Sequence, residues 1–153
     1  MLQNNKYSFE NCLEKAAGIL SRRLHSVCEI RKKLNAKGFP VPVVEKVITE
    51  LQNCSFLDDA KFAELFVSEL RQKGCGSIKI RLELKKRGIN PEFASNILKQ
   101  EDSNDSESEI NSALLAIKKK ISAFLREKDL KKRKEKIYRY LVSRGFSFDI
   151  INK

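Results

Sequence analysis

The fold is decided by Ile30-Arg31-Lys32-Lys33-Leu34-Asn35-Ala36-Lys37-Gly38-Phe39, because the phrase returns twice further along the chain. An Ile, a Leu four residues on, a base three further, a Gly and an apolar residue recur as Ile80-Leu84-Arg87-Gly88-Ile89 and as Ile137-Leu141-Arg144-Gly145-Phe146. The Ile and Leu at i and i+4 mark one face of a helix, and the glycine supplies the left-handed residue that ends it. Five residues past each glycine stands another large apolar residue, Val43, Phe93 or Ile150, so the register runs on into the next element. The glycines lie 50 and 57 residues apart. Such a period belongs to helical repeats, which must stack to bury a core and so present surface to a partner rather than enclose a substrate.

Working outward, each copy acquires three helices. In the first, Ala16, Ala17, Ile19, Leu20 and Leu24 form an apolar stripe, and Ser26-Val27-Cys28-Glu29 is a capping box that opens a second helix. Pro40 and Pro42 lead into a third helix bearing Val43, Val44, Val47, Ile48 and Leu51. The second copy starts at Asp58 or Asp59 as N-cap, with Phe62, Ala63, Leu65, Phe66 and Leu70 on one stripe. It breaks at Gly74-Cys75-Gly76, reopens at Ser77, and enters its third helix through Asn90-Pro91. Residues 101–109 contain no apolar side chain and read as a solvated acidic linker. The third copy follows with Ala113, Leu114, Ile117, Ile121, Phe124 and Leu125, a basic run over 128–136, and a last helix of about two turns from Ser147. The expected architecture is therefore all-α: three-helix units over 10–55, 56–100 and 110–153, joined across 101–109 in an elongated, curved tandem array.

Composition agrees. Of 153 residues 41% are apolar, with no Trp, three Pro and six Gly, which suits helices better than a turn-rich β fold. Each unit of about 45 residues is near the lower limit for folding alone, so the units lean on one another. Cys12, Cys28, Cys54 and Cys75 form no C-x-x-C pair, and His25 is the single histidine, so zinc spacing is absent. Met1 to Lys6 shows no apolar leader segment, and the thiols are expected free and mostly buried in a reducing cytoplasm. Nothing approaches the ~20 apolar residues of a membrane span.

The net charge of +11 is unevenly spread. Residues 1–100 hold 18 bases against 11 acids, 101–110 hold five acids and no base, and 111–153 hold 13 bases against four acids. Such a protein is drawn to nucleic acid or to acidic protein surfaces. No catalytic constellation accompanies the charge. His25 sits at a helix boundary, where an exposed or capping role is expected, and Asp58-Asp59 has an evident use as a cap. Gly74-Cys75-Gly76 lacks the strand before it and the G-K-[ST] after it that a phosphate loop requires. The bases, by contrast, recur: Lys37, Arg87 and Arg144 share one repeat position, Arg31 and Arg81 another. Tyr138 and Tyr140 are the aromatic residues nearest a basic run, too few for reading splayed bases.

The run Leu20-Ser21-Arg22-Arg23-Leu24-His25-Ser26-Val27-Cys28-Glu29-Ile30, with Phe56-Leu57-Asp58-Asp59-Ala60-Lys61-Phe62-Ala63 between two Gly-ended helices, resembles the regulatory protein RecX family over about residues 16–151. The resemblance implies a modular array of three-helix units. It also implies a non-enzymatic function without cofactor: binding along the groove of the RecA recombinase filament and restraining its ATPase, strand-exchange and coprotease activities in DNA repair and the SOS response. The partners so implied are the RecA filament and, weakly and electrostatically, single- or double-stranded DNA, engaged by a monomer. The expected contact set is Arg22, Arg23, Arg31, Lys32, Arg81, Lys85, Arg87, Lys132, Arg133 and Arg144. The competing reading is a helix-turn-helix-like DNA-binding protein. A hydrolase or nuclease would need a ligand cluster that the sequence lacks.

Overall fold

The structure, a computed structural model, describes residues 6–104 and 107–153. Every regular element among the described residues is an α-helix: α1 Phe9–Leu20, α2 Val27–Ala36, α3 Val41–Asn53, α4 Asp59–Gln72, α5 Ser77–Lys86, α6 Pro91–Asn104, α7 Glu107–Leu125, α8 Leu130–Ser143 and α9 Phe148–Ile151. These are three successive three-helix repeats. By compactness the chain forms two units, one holding the chain up to Ala63 together with Arg87–Ile89, the other Glu64–Lys86 and Asn90–Lys153.

In the first unit the helices start where local chemistry satisfies their free amides. Ser8 accepts from the Asn11 amide at 3.2 Å. At α2 the capping box is complete: the Ser26 hydroxyl accepts from the Glu29 amide and the Glu29 carboxylate accepts from the Ser26 amide, each at 3.2 Å. Asp58, not Asp59, caps α4, accepting from the Ala60 amide at 2.9 Å and the Lys61 amide at 3.1 Å. The core gathers Cys12 and Ala16 of α1, Ile30 and Leu34 of α2, and Val44, Val47, Ile48 and Leu51 of α3, closed by Phe39 and Leu57. Full burial of side chains the size of Ile30 and Leu34 is worth about 1.5–3 kcal/mol each. The expected α1 stripe shifts accordingly. The helix ends at Leu20, so Leu24 falls outside it and stands exposed while Cys12 takes a core place.

The same grammar builds the second unit. Asn90 caps α6 through the Glu92 and Phe93 amides, and Asp129 caps α8 through the Lys131 and Lys132 amides. Ile80 and Leu84 of α5 are fully buried, as are Ala94, Ile97 and Leu98 of α6. Ala113 and Ala116 of α7, Leu141 of α8 and Phe146 form a further cluster, against which Ile117, Ile137, Tyr140, Ile150 and Ile151 pack. Of the acidic stretch expected as a linker, residues 101–104 lie in α6 and 107–109 in α7, while 105 and 106 lie outside the described residues. Glu109 lies in the first turn of α7, where an acid is favoured, and its carboxylate accepts from the Ser77 amide in a buried setting.

The recurrent glycines do more than end helices. Gly88 has φ +76° and lies so close to Cys28 that an added Cβ would sit 2.5 Å from the cysteine Cβ. Gly145, in the second unit, has φ +84° and would place a Cβ 2.4 Å from both the backbone nitrogen and the Cβ of Lys79. Each glycine thus brings its loop onto the N-terminus of the second helix of the preceding repeat. There the Ser26 hydroxyl donates to the Arg87 carbonyl at 2.7 Å, and the Gly76 amide donates to the Arg144 carbonyl at 2.9 Å.

Candidate partner-binding surface

A second repeated device explains why Asp59 is not the cap. Its carboxylate accepts from the Val27 amide at 2.8 Å, satisfying the first free N–H of α2 from 32 residues away. Glu109 does the same to Ser77, the first residue of α5, also at 2.8 Å and also across 32 residues. Burial pushes the Asp59 carboxyl above its ordinary value, against the Val27 amide that favours the charged form. Ser77 opens α5 as its first residue, and its hydroxyl accepts from the Arg71 guanidinium at 2.8 Å. Arg71 and Glu109 are both buried, 3.5 Å apart.

These internal bonds decide which bases remain for a partner. In the first unit the Arg23 guanidinium forks onto the Glu29 carboxylate at 3.1 and 3.2 Å, and the half-buried Arg87 approaches the same carboxylate at 3.8 Å. Burial works to raise the Glu29 carboxyl, but Arg23 and the Ser26 amide outweigh it and hold the group below the usual carboxylate range. Arg31 forks onto Glu45 at 2.6 and 3.0 Å, an arrangement that raises the arginine and lowers the glutamate. The Arg22 and Lys32 side chains are exposed and, among the described residues, make neither hydrogen bond nor ion pair.

In the second unit Arg144 is turned inward. Its Nε donates to the Gly74 carbonyl at 2.9 Å and its Nη2 to the Lys73 carbonyl, so it caps the C-terminal end of α4. Arg133 donates through Nε and Nη2 to the Glu127 carbonyl at 2.9 and 2.6 Å. Among the described residues the exposed Arg81 and Lys85 side chains make no hydrogen bond or ion pair, while the exposed Lys132 ammonium helps hold the Glu127 carboxyl below its usual range. Of the ten expected contact residues, then, Arg22, Lys32, Arg81 and Lys85 present unengaged charge, Lys132 is exposed near Glu127, and the other five are tied into the protein. Lys37, which shares the repeat position of Arg87 and Arg144, is exposed.

Sequence reasoning missed two apolar members of this surface. Ile78 and Leu82 of α5 are 56% and 52% exposed, one helical turn apart, beside Arg81 and Lys85. The signal was available, since α5 carries apolar residues at 78 and 82 as well as at 80 and 84, more than one buried face can use.

His25 departs from the exposed or capping role expected of it. The ring is 5% exposed, Nδ1 lies 2.9 Å from the Arg23 carbonyl, and burial lowers its pKa. The thiols are free: Cys12 and Cys75 are buried, Cys28 is half-buried and Cys54 is exposed. Among the described residues no three His, Cys, Asp or Glu side chains gather as a metal site. No described helix is long and apolar enough to cross a membrane.

Comparison with known proteins gives this arrangement its context. Three family models match in succession: RecX, first three-helix domain, over residues 12–51; RecX, second three-helix domain, over 58–98; and RecX, third three-helix domain, over 107–153. The chain is 36% identical over 148 residues to the Regulatory protein RecX of Clostridium botulinum (strain Eklund 17B / Type B), covering 96% of this chain and 68% of that one. It is also 36% identical over 141 residues to the Regulatory protein RecX of Legionella pneumophila (strain Corby), covering 92% and 89%. In fold it resembles the crystal structure of RecX from Lactobacillus salivarius, with a TM-score of 0.78 at 22% identity over 94% of this chain and 92% of that one. Three repeats in the family's own order, each built on the glycine phrase, place this chain in the RecX family of regulatory proteins.

Proposed function

We propose that this protein binds the RecA recombinase filament and restrains its ATPase, strand-exchange and coprotease activities, acting in DNA repair and the SOS response in the cytoplasm as a monomeric regulator without catalysis of its own. The observation that carries the reading is the run of all three RecX three-helix domains in order, together with relatives named Regulatory protein RecX at 36% identity. Its chemistry fits: the Arg22, Lys32, Arg81 and Lys85 side chains stand exposed and, among the described residues, unengaged, and Lys132 is exposed near Glu127, all available to carboxylates or phosphates. The decisive assay is RecA ATPase on single-stranded DNA with and without this protein. Inhibition at equimolar or modestly higher dose is expected; an unchanged rate at several-fold excess would refute the reading.

The same free bases support weak contact with single- or double-stranded DNA as an auxiliary term. Such binding falls steeply with salt and ignores sequence. A helix-turn-helix repressor, the competing reading, would instead prefer one duplex sequence by at least about 1,000-fold. Retention on unrelated duplexes of equal length distinguishes the two.

A further inference from the structure

The first two repeats can be laid on one another through their glycines, and the comparison isolates α5. Arg31 stands seven residues before Gly38, and its carboxylate partner Glu45 seven residues after it. Around Gly88 the same positions hold Arg81 and Ser95. The arginine is kept and its carboxylate is not. The Arg81 side chain is exposed and makes no hydrogen bond or ion pair among the described residues, so the second repeat carries a base whose counterpart takes a bidentate carboxylate. Next to it the repeat changes in the apolar direction. Cys28 of α2, half-buried beneath Gly88, corresponds to Ile78, and the exposed Lys32 corresponds to Leu82. Lys85 replaces Asn35. Residues 78, 81, 82 and 85 fall on one face of α5, while Ile80 and Leu84 on the opposite side are fully buried.

We propose that this outer face of α5, Ile78, Arg81, Leu82 and Lys85, grips an acidic segment of a protein partner that supplies a carboxylate to Arg81 and apolar side chains to Ile78 and Leu82. A phosphate backbone would use Arg81 and Lys85 but leaves two large apolar side chains in water, whereas an amphipathic acidic surface uses all four. The inference rests on the functional reading above, which makes the partner a protomer of the RecA filament, and it deepens that reading by assigning the contact.

The test rebuilds the missing ion pair. Ser95→Glu places a carboxylate where the first repeat has one, so Arg81 is satisfied internally and withdrawn from the partner. Co-sedimentation with RecA assembled on single-stranded DNA should show about tenfold weaker binding for Ser95→Glu, for Arg81→Ala and for Ile78→Ser with Leu82→Ser, with helix content unchanged. Ser95→Gln should bind as the unaltered protein does. Ser95→Glu combined with Arg81→Ala should be no worse than either alone, because both remove one interaction. Unaltered binding by Ser95→Glu and by the double serine variant would overturn the α5 surface while leaving the function in place. An equal loss of affinity for naked single-stranded DNA in the Arg81 and Ser95 variants, with no effect of the serines, would make it a phosphate contact and overturn it too. If the unaltered protein failed to bind the filament, the functional reading would fall first and the inference with it.

Discussion

Replacing Gly38, Gly88 and Gly145 singly by Ala separates the two jobs of the recurrent glycine. At Gly38, φ is +85° and the nearest atom to an added Cβ is Tyr7 Cε1 at 3.5 Å, an ordinary contact. Only the left-handed backbone is penalised there, by about 1–2 kcal/mol. Gly88 has nearly the same φ, but its new methyl would sit 2.5 Å from the Cys28 Cβ and 2.8 Å from its sulfur. The Cβ cannot retreat without moving α2, so an overpacking cost of about 1–3 kcal/mol is added, giving about 2–5 kcal/mol in all. Gly145 meets the backbone nitrogen of Lys79 at 2.4 Å and belongs at the upper end. Gly18, within α1 and with nothing inside 4 Å, is the internal control, where Ala should stabilise by about 0.5–1 kcal/mol. Urea unfolding followed by circular dichroism measures the series. If Gly88→Ala and Gly145→Ala cost no more than Gly38→Ala, the glycines are helix terminators alone and the claim that they seat one repeat on another is wrong.

Three further outcomes follow from the same contacts. Asp58→Ala should destabilise by about 1 kcal/mol, the usual cost of an N-cap, measured by the same denaturation. Asp59→Asn keeps an acceptor for the Val27 amide but cannot ionise. Because burial raises the Asp59 pKa, with Asp58 and Glu29 adding to it and Arg31 opposing, the native protein loses stability as pH rises from about 3.8 through the folded-state value. The denaturation midpoint of the Asn variant, compared with that of the unaltered protein, should gain ground through that window, and parallel profiles would contradict the assignment. Arg144→Ala deletes charged donors to the Gly74 and Lys73 carbonyls and should cost about 1.5–3 kcal/mol of stability, whereas Arg81→Ala should leave the denaturation curve unmoved.

Much of the fold was legible because its signals are local. A capping box needs residues three apart, and a helix face needs residues three or four apart, so α2, α3 and α6 could be placed from sequence together with their buried Val47 and Ile48 or Ile97 and Leu98. The bonds that seat the repeats are long-range and leave no mark within one helix. Asp59 and Glu109 reach amides 32 residues back, and no propensity announces that. The repeat could have revealed it nonetheless. Both acids stand 21 residues after a glycine of the phrase, at Gly38 and at Gly88. His25 and Glu109 were misjudged for a related reason. Polarity in sequence says that a group needs a partner, and only the tertiary structure says whether that partner is water, a carbonyl or an amide.

The basic residues show what recurrence means in such an array. Arg87 and Arg144 recur just before the glycine, and both are occupied at home, one by Glu29 and one by the carbonyls that end α4. In the second and third repeats this position serves the preceding repeat, whereas Lys37, which has none before it, is exposed. Lys85 and Leu82 do not recur, since the first repeat has Asn35 and Lys32 there and the third has Val142 and Arg139. Arg81 recurs from Arg31 but has lost its carboxylate to Ser95. Recurrence just before the glycine therefore marks residues that hold one repeat to the preceding one, and departure from a repeated pairing, as at Ser95, marks what a single repeat can turn outward. By that criterion we propose the outer face of α5, rather than the row of bases beside the glycines, as the place where the second repeat meets a partner.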